Sequence, residues 1–123
     1  MSCSLTIDAV RDRSKTVTRR AKHTWTNLRP GDPLTLIEKG MGLKRGERQV
    51  ILAEVEVVDV RLVNLARDMT AAECAAEGFP DLTPAEFVEM WCVSHHISRA
   101  REIEAVTDSR PIVVRRIEWR YLP

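Results

Sequence analysis

The longest apolar pattern in this sequence runs over residues 50–65 and changes phase once along its length. The apolar residues stand first at odd and then at even positions: Ile51, Ala53, Val55, Val57, then Val58, Val60 and Leu62. Because strand side chains alternate between two faces, such a change moves them to the other face unless a bulge or bend corrects it. The pattern therefore predicts one long strand that bends at Val57 and Val58, as strands of a small barrel do.

Shorter patterns on both sides of this strand complete the predicted order of elements. A short amphipathic helix is expected over residues 5–10, strands over 16–20, 34–38 and 111–122, and an exposed glycine-rich loop over 39–48. Two helix starts have capping-box spacing, Thr70 with Glu73 and Thr83 with Glu86, and the first of these helices stops at Gly78. Residues 94–110 are polar and give no clear pattern. We therefore predict a single α+β domain over residues 1–123, a small mixed β-barrel of about five to six strands with short flanking helices.

The net charge of +1 is spread unevenly along the chain. Residues 1–29 carry seven Lys/Arg and two Asp/Glu, residues 30–96 carry six and twelve, and residues 97–123 carry six and four. If the fold joins the two basic ends, their surface suits an anionic partner such as nucleic acid, although a solvated basic face is equally common. No apolar run approaches the roughly 20 residues of a membrane helix, and the start of the chain shows no secretory signal. Three widely spaced cysteines favour a reducing compartment, so we expect a cytoplasmic protein without a membrane partner.

Residues 13–20, Arg-Ser-Lys-Thr-Val-Thr-Arg-Arg, contain the strongest candidates for chemistry. Lys15 precedes the hydroxyl of Thr18 by three residues, which is a base-and-nucleophile pairing, and Arg20 shares the face of Thr18 on a strand. For Lys15 to meet Thr18, it has to precede the strand, at a turn, because residues three apart on a strand face opposite ways. Lysine acts as a base only if its pKa of about 10.4 is lowered by burial or neighbouring cations. The alternative is that Lys15 and Arg20 bind phosphate and Thr18 is an ordinary strand residue.

This stretch resembles the G-x-K-x-x-E-x-R signature of ASCH domains, which are related to the PUA domains of RNA-modifying proteins. Lys15 and Arg20 match the signature, Arg13 stands where glycine is usual, and Thr18 stands where glutamate is usual. In having threonine at that place, the chain resembles the small bacterial N4-acetylcytidine amidohydrolases of the family. The resemblance continues at four further places, namely Pro30-Gly31-Asp32, the strand from Glu54 to Val60, Glu77-Gly78-Phe79, and Ile117-Glu118-Trp119.

The resemblance implies a PUA-like barrel with a cleft beside the first helix that accepts a nucleotide or RNA. For the amidohydrolase branch it implies that Thr18 is the nucleophile, Lys15 its base, and Glu77 a third polar member that orients or donates a proton. Glu77 would also stabilise the charged lysine and so oppose the effect of burial. No cofactor and no metal are implied.

Two further groups, the tryptophans and a pair of histidines, are weaker candidates. Trp25, in a polar loop after the motif, is the best residue for stacking on a base, whereas Trp91 and Trp119 lie on apolar faces and are expected in the core. His95 and His96 end a helical pattern, where histidine more commonly complements the helix dipole than serves as a ligand or base.

We therefore expect a protein that recognises RNA or a modified nucleotide or nucleoside in a basic cleft. The residues expected to bind it are Arg13, Lys15, Arg19, Arg20 and Trp25. A second hypothesis is an amidohydrolase that acts on an acylated cytidine through Lys15, Thr18 and Glu77. A third is a ribonuclease in which Lys15 stabilises charge on the phosphorane, although the sequence shows no obvious acid–base histidine pair.

Overall fold

The computed structural model describes residues 1–39 and 45–123 of the chain. The elements in chain order are α1 (Ile7–Arg11), β1 (Val17–Ala21), β2 (Pro33–Ile37), β3 (Ile51–Asn64), α2 (Ala71–Glu77), α3 (Pro84–Ser94), α4 (Arg99–Val106) and β4 (Val113–Tyr121). The predicted helices and strands are confirmed within two residues at most ends, and α4 is an addition within the unassigned segment 94–110. The predicted loop over 39–48 lies largely outside the described residues.

The described strands form one antiparallel sheet in the order β1-β4-β3-β2, and β1 and β2 are its two edges. The architecture is α+β as predicted, but the prediction of a barrel with five to six strands is wrong, because β1 and β2 do not pair and the sheet stays open. The two edges are covered by different parts of the chain. On the β2 side, Ser2 forms a parallel bridge with Ile37. This N-terminal segment is tied to the opposite edge by Arg20, whose guanidinium donates to the carbonyl of Ser2 at 2.5 Å.

The free edge of β1 is closed by side chains. Lys15 Nζ donates to the carbonyl of Val17 at 3.0 Å, and Trp91 Nε1 donates to the carbonyl of Arg19 at 3.1 Å. The carbonyl of Ala21 accepts from the hydroxyl of Thr24 at 2.7 Å. These carbonyls belong to alternate residues and therefore point away from β4. An edge strand whose acceptors are already paired is a poor template for a further strand, which explains why the sheet ends here without closing.

The change of phase in β3 corresponds to a β-bulge. The register between β3 and β4 shifts between Val57 and Asp59, and Val58 is left unpaired and 39 % exposed. Because the extra residue corrects the phase, Val55, Val57 and Val60 all face the same hydrophobic cluster. The position of the predicted bend is confirmed, but the bend does not close a barrel.

The sheet separates two hydrophobic clusters. One face packs against α1 and the N-terminal segment, through Met1, Cys3, Val10, Val57, Ile117 and Trp119. The other face packs against α2, α3 and α4, through Val63, Val114, Cys74, Phe87, Trp91 and Ala105. The expected core positions of Trp91 and Trp119 are confirmed, with 6 % and 2 % of their surface exposed. At the edge strand β1, the N-terminal segment from one face and helices α2 and α3 from the other face come next to each other.

Local signals fix the two helices next to β1. Thr70 accepts a hydrogen bond from the amide of Glu73, and Thr83 and Glu86 form a complete capping box. Helix α2 ends at Gly78, whose φ of +99° is unfavourable for a side chain. A Cβ at Gly78 would lie 3.0 Å from the side chains of Ala9 and Thr6, so glycine also permits the close approach of the α1 region to the end of α2.

Within residues 1–39 and 45–123, none of the helices is long and apolar enough to cross a bilayer.

Candidate functional site

A cavity of about 170 Å³ lies beside the free edge of β1. Its walls come from residues 2–6, from Lys15, from β1, from the end of α2 and from α3. An engineered cavity of about 150 Å³ takes up benzene, so this one has room for a single six-membered ring. Lys15, Thr18 and Glu77, which the sequence separates by up to 62 positions, all line it.

Lys15 lies in the turn before β1, as the predicted pairing with Thr18 requires. Its carbonyl accepts hydrogen bonds from Trp119 Nε1 at 3.1 Å and from the hydroxyl of Tyr121 at 2.5 Å. Its amide donates to the carbonyl of Ala9 at 3.0 Å. Arg13 makes the turn with a φ of +67°, in the left-handed region that favours glycine. The backbone of Lys15 is thus fixed from both sides, and its side chain enters the cavity.

Lys15 is 3 % exposed, and its ammonium group has three oxygen neighbours. Nζ donates to the carbonyl of Glu77 at 2.6 Å, to the carbonyl of Val17 at 3.0 Å, and to Glu77 Oε1 at 3.4 Å. Burial lowers the pKa of Lys15, whereas the Glu77 carboxylate raises it, and burial prevails. The lysine is therefore easier to deprotonate than a free one, as a base in this position requires.

Thr18 is 5 % exposed and lines the same cavity from the middle of β1. Within residues 1–39 and 45–123, its hydroxyl forms no hydrogen bond with another side chain, including the amine of Lys15. The hydroxyl therefore remains available to a bound molecule. Catalytic hydrogen bonds are often long or unformed before the substrate binds. The missing bond between Lys15 Nζ and the hydroxyl of Thr18 is therefore compatible with a pair that forms when a ligand binds.

Glu77 shares its carboxylate between two cations. Oε1 faces Lys15, and Oε2 accepts a hydrogen bond from Arg19 NH1 at 3.0 Å. The residue is 3 % exposed. Its position at the end of α2, next to Gly78, lets both its carboxylate and its carbonyl reach the amine of Lys15. Glu77 therefore contacts the amine of Lys15 through two of its oxygens, and its role as the third polar residue stays a prediction.

The guanidinium of Arg19 binds a second carboxylate besides that of Glu77. Its NH2 group donates to Glu73 Oε1 at 2.6 Å, and the guanidinium of Arg116 binds the same carboxylate at 2.7 and 3.2 Å. We call Glu73, Arg19 and Arg116 the Glu73 cluster. Arg19 on β1 and Arg116 on β4 lie directly opposite each other. Their positive charges would repel each other without the carboxylate between them. Arg19 was predicted to bind the nucleotide or RNA, but both ends of its guanidinium face carboxylates in this structure.

The role of Glu73 was not foreseen, since its position in the sequence indicated only a helix cap. Burial raises the pKa of Glu73, but the hydrogen bonds from Arg116 and Arg19 outweigh burial and bring the pKa to about 2. Glu73 and Glu77 stand one helical turn apart, and this i, i+4 spacing of carboxylates was the available signal that α2 presents a charged face to the sheet. Glu73 thus joins α2 to the centre of the sheet.

The other predicted binding residues lie at different distances from the cavity. Arg20 lines it, with its guanidinium held by the carbonyl of Ser2. Arg13 lies outside the cavity lining, over the ring of Tyr121 at 5.6 Å from the centroid. Trp25 lines a separate, shallower depression together with Thr26 to Leu28 and Asp32. The structure does not bring Trp25 to the same cavity as Lys15.

An aromatic wall, missed by sequence reasoning, faces the polar residues of the cavity. It consists of Phe79, Phe87, Trp91 and His95. Trp91 was weighed for base stacking and assigned to the core, and His95 was weighed as a ligand or base. The rings of Trp91 and His95 stack at 3.7 Å with an interplanar angle of 13°. The cavity therefore combines an apolar, flat-sided wall with a polar wall of Lys15 and Thr18, a combination typical of small-molecule sites.

A metal centre was sought in the same described residues, and no group of three or more His, Cys, Asp or Glu side chains there is arranged to hold an ion. The donors at the cavity are a lysine, two arginines and hydroxyls, which suit polar or anionic groups of a ligand.

Comparisons with known proteins do not extend this description. A scan against models of protein families gave no match. A search of curated proteins gave none, and neither did a search of solved structures.

Proposed function

We propose that this protein binds a modified pyrimidine nucleoside in the cavity beside β1 and hydrolyses an acyl amide on its ring. Thr18 is the nucleophile, Lys15 is its base, and Glu77 orients Lys15. The observation that carries the proposal is the meeting of Lys15, Thr18 and Glu77 at one cavity of single-ring size. The chemical class is acyl transfer from nitrogen to water through a threonine ester.

The resemblance of residues 13–20 to the ASCH signature supports the choice of substrate. Lys15 and Arg20 match that signature, and threonine at position 18 is what its N4-acetylcytidine amidohydrolases carry. The departure at Arg13 also agrees with the signature in conformation, because Arg13 has the positive φ for which glycine is best suited. A turn of this kind is what delivers the lysine to the cavity.

The reaction is written as two acyl transfers. Neutral Lys15 Nζ accepts the proton of Thr18 Oγ1 as that oxygen attacks the acyl carbon. The bond between the acyl carbon and the exocyclic nitrogen breaks, and the nitrogen takes the proton back from Nζ, which releases cytidine. Water then attacks the threonine ester and loses its proton to Nζ, which returns it to Oγ1 as the carboxylic acid leaves. Lys15 carries a proton only in transit, and the lowering of its pKa by burial favours that role.

The test is hydrolysis of N4-acetylcytidine, followed by the change in its ultraviolet absorbance. We expect Thr18→Val to lower kcat/KM about a thousandfold or more, because the nucleophile is lost. Lys15→Met should lower kcat/KM by about a hundredfold to ten-thousandfold, as expected for loss of a general base. The matched control is Thr16→Val, since Thr16 lies outside the cavity lining and its amide and carbonyl, not its side chain, make the bonds to Ala76 and Trp119.

Turnover by the wild type that survives in Thr18→Val would rule out the threonine ester. Absence of turnover in the wild type would reject hydrolysis of this substrate. The circular dichroism of each variant separates these outcomes from misfolding.

A second candidate function is recognition of the nucleoside, or of RNA that carries it, without hydrolysis. It is favoured by one observation, the three oxygen acceptors around Lys15 Nζ, which match the three donors of an ammonium group. An ammonium whose three donors are engaged in this way acts on a ligand through its positive charge and removes no proton from Thr18. In that case the wild type binds ligand without turnover, and Thr18→Val keeps its affinity whereas Lys15→Met loses it. Binding of RNA rather than a free nucleoside would weaken steeply with salt.

A further inference from the structure

The aromatic wall of the cavity contains a histidine whose hydrogen bonds fix its tautomer. His95 follows α3 as its C-terminal cap residue, and its Nδ1 lies 2.8 Å from the carbonyl oxygen of Trp91. A carbonyl oxygen only accepts hydrogen bonds, so Nδ1 carries the hydrogen. The hydroxyl of Ser94 donates to the same carbonyl at 3.0 Å, and its oxygen lies 3.1 Å from Nδ1. In the neutral ring, Nε2 is therefore an unprotonated acceptor.

The orientation of this ring depends on a buried anchor rather than on the exposed end of the helix. The ring stacks on Trp91, which is 6 % exposed and is itself held by the bond from Nε1 to the carbonyl of Arg19. His95 is exposed as a residue, but its plane is set by Trp91 and the direction of its nitrogens by the Trp91 carbonyl. A functional group fixed in this way is suited to selecting a ligand.

Nε2 of His95 differs from the other charged and nitrogen-bearing side chains of the cavity lining. Lys15, Arg19 and Arg20 are donors. The carboxylate of Glu77 is an acceptor, but both of its oxygens face Lys15 or Arg19. Apart from Lys15 Nζ in its neutral form, Nε2 is thus the one nitrogen acceptor among the side chains described at the cavity, and no hydrogen bond to it is formed within residues 1–39 and 45–123. A ligand ring that places an N–H group at this wall gains a partner there.

We infer that His95 is a specificity-determining residue, whose Nε2 accepts a hydrogen bond from the exocyclic N–H of a cytosine-type ring and disfavours a uracil-type ring. Cytosine carries a donor amine at the ring position where uracil carries an acceptor oxygen, so a fixed acceptor opposite that position distinguishes them. An acylated cytosine keeps one N–H at the exocyclic nitrogen and is accepted in the same way. This inference rests on the proposed function, since it assumes that the cavity takes a pyrimidine.

The test measures equilibrium binding of cytidine and of uridine by calorimetry, which needs no catalysis. We expect the wild type to bind cytidine at least about tenfold more tightly than uridine, the ratio that corresponds to one hydrogen bond of about 1.4 kcal/mol. His95→Phe keeps a flat ring for stacking on Trp91 and removes both nitrogens, so the two affinities should fall within about twofold of each other. The matched control is His96→Asn, because His96 lies outside the cavity lining and its φ of +58° is one that asparagine tolerates.

Each other outcome overturns a distinct statement. Equal binding of cytidine and uridine by the wild type contradicts the selection itself. A preference for cytidine that persists in His95→Phe contradicts the role of His95 and leaves the proposed function in place. Binding of neither nucleoside by the folded wild type rejects both the pyrimidine site and the inference. Retained selectivity in His96→Asn with lost selectivity in His95→Phe supports it.

Discussion

Glu73 and Glu77 lie one turn apart on α2 and both accept hydrogen bonds from Arg19, yet their surroundings differ. Glu73 is held by two guanidinium groups, which bind both of its oxygens, and it lies outside the cavity lining. Glu77 faces Lys15 and the open volume next to Thr18. Arg19 is shared by the two groups of charges. The same helix therefore carries one carboxylate whose bonds hold the fold together and one whose partner is a candidate for chemistry.

The difference shows how buried charge serves two purposes in so small a domain. In the Glu73 cluster, Arg116 is further paired with Glu118 at 2.9 Å, so its positive charge is balanced on both sides. At the cavity, burial lowers the pKa of Lys15, and the hydroxyl of Thr18 is left without a side-chain partner within residues 1–39 and 45–123. A carboxylate that stabilises the fold and one that faces the candidate site are thus separated by only one turn of helix.

The largest expected effect comes from neutralising Glu73. Glu73→Gln keeps the shape of the side chain but leaves Arg19 and Arg116 facing each other with no carboxylate between them. We expect the free energy of unfolding to fall by about 3 kcal/mol, the lower part of the range for breaking a buried ion pair. The measurement is urea denaturation at neutral pH, analysed by the linear dependence of the free energy on urea.

Two substitutions serve as comparators for Glu73→Gln. Glu118→Gln removes the more exposed partner of Arg116 and should cost less than about 1 kcal/mol. Lys15→Met removes the buried cation of the cavity, whose desolvation opposes folding, and leaves Glu77 paired with Arg19, so it should cost less than Glu73→Gln, about 1–2 kcal/mol for the carbonyls left without a donor. A loss in Lys15→Met as large as that in Glu73→Gln would contradict the separation of the two groups.

Parts of this arrangement were accessible from the sequence because they depend on local chemistry. The change of phase at Val57 and Val58 located the bulge, and Thr70 and Thr83 located two helix starts. The pattern did not show whether the bent strand closes a barrel, because that depends on how the edge β1 is capped by Lys15 and Trp91, far apart in the chain. From the residues alone, Lys15 was predicted as a candidate base before a strand, whereas Glu77 was proposed only through the resemblance.

Helix α4 and the aromatic wall were missed for physical reasons. The buried positions of α4 are Glu102 and Ala105, whereas Ile103 is 45 % exposed, so apolar periodicity does not mark its inner face. Trp91 was assigned to the core, which is correct, but one side of its ring also supports His95 at the cavity. Residues that serve the core and a site at once cannot be distinguished by hydrophobic pattern.

A smaller effect is expected from acid, which weakens the Glu73 cluster without removing it. The pKa of Glu73 is lowered from 4.5 to about 2 in the folded chain, so the unfolded chain binds more protons between these values. The contribution of Glu73 to stability is therefore complete above about pH 4.5 and declines as the pH falls towards 2. Urea denaturation at pH 6, 4 and 3 should show a steeper decline for the wild type than for Glu73→Gln. Parallel declines in the two proteins would show that Arg19 and Arg116 do not perturb this carboxyl.

The smallest expected effect concerns the turn at Arg13, which precedes Lys15 and helps to place its side chain at the cavity. Arg13 has a φ of +67°, and its guanidinium lies over Tyr121, so substitution changes a backbone preference and a cation–aromatic contact together. Arg13→Ala and Arg13→Gly both remove the contact, and they differ only in tolerance of the left-handed conformation. We expect the glycine variant to be more stable than the alanine variant by about 1 kcal/mol, because a Cβ in this conformation costs about that much. Equal urea midpoints would show that the turn imposes no strain, and the agreement of Arg13 with the signature glycine would then have no conformational basis.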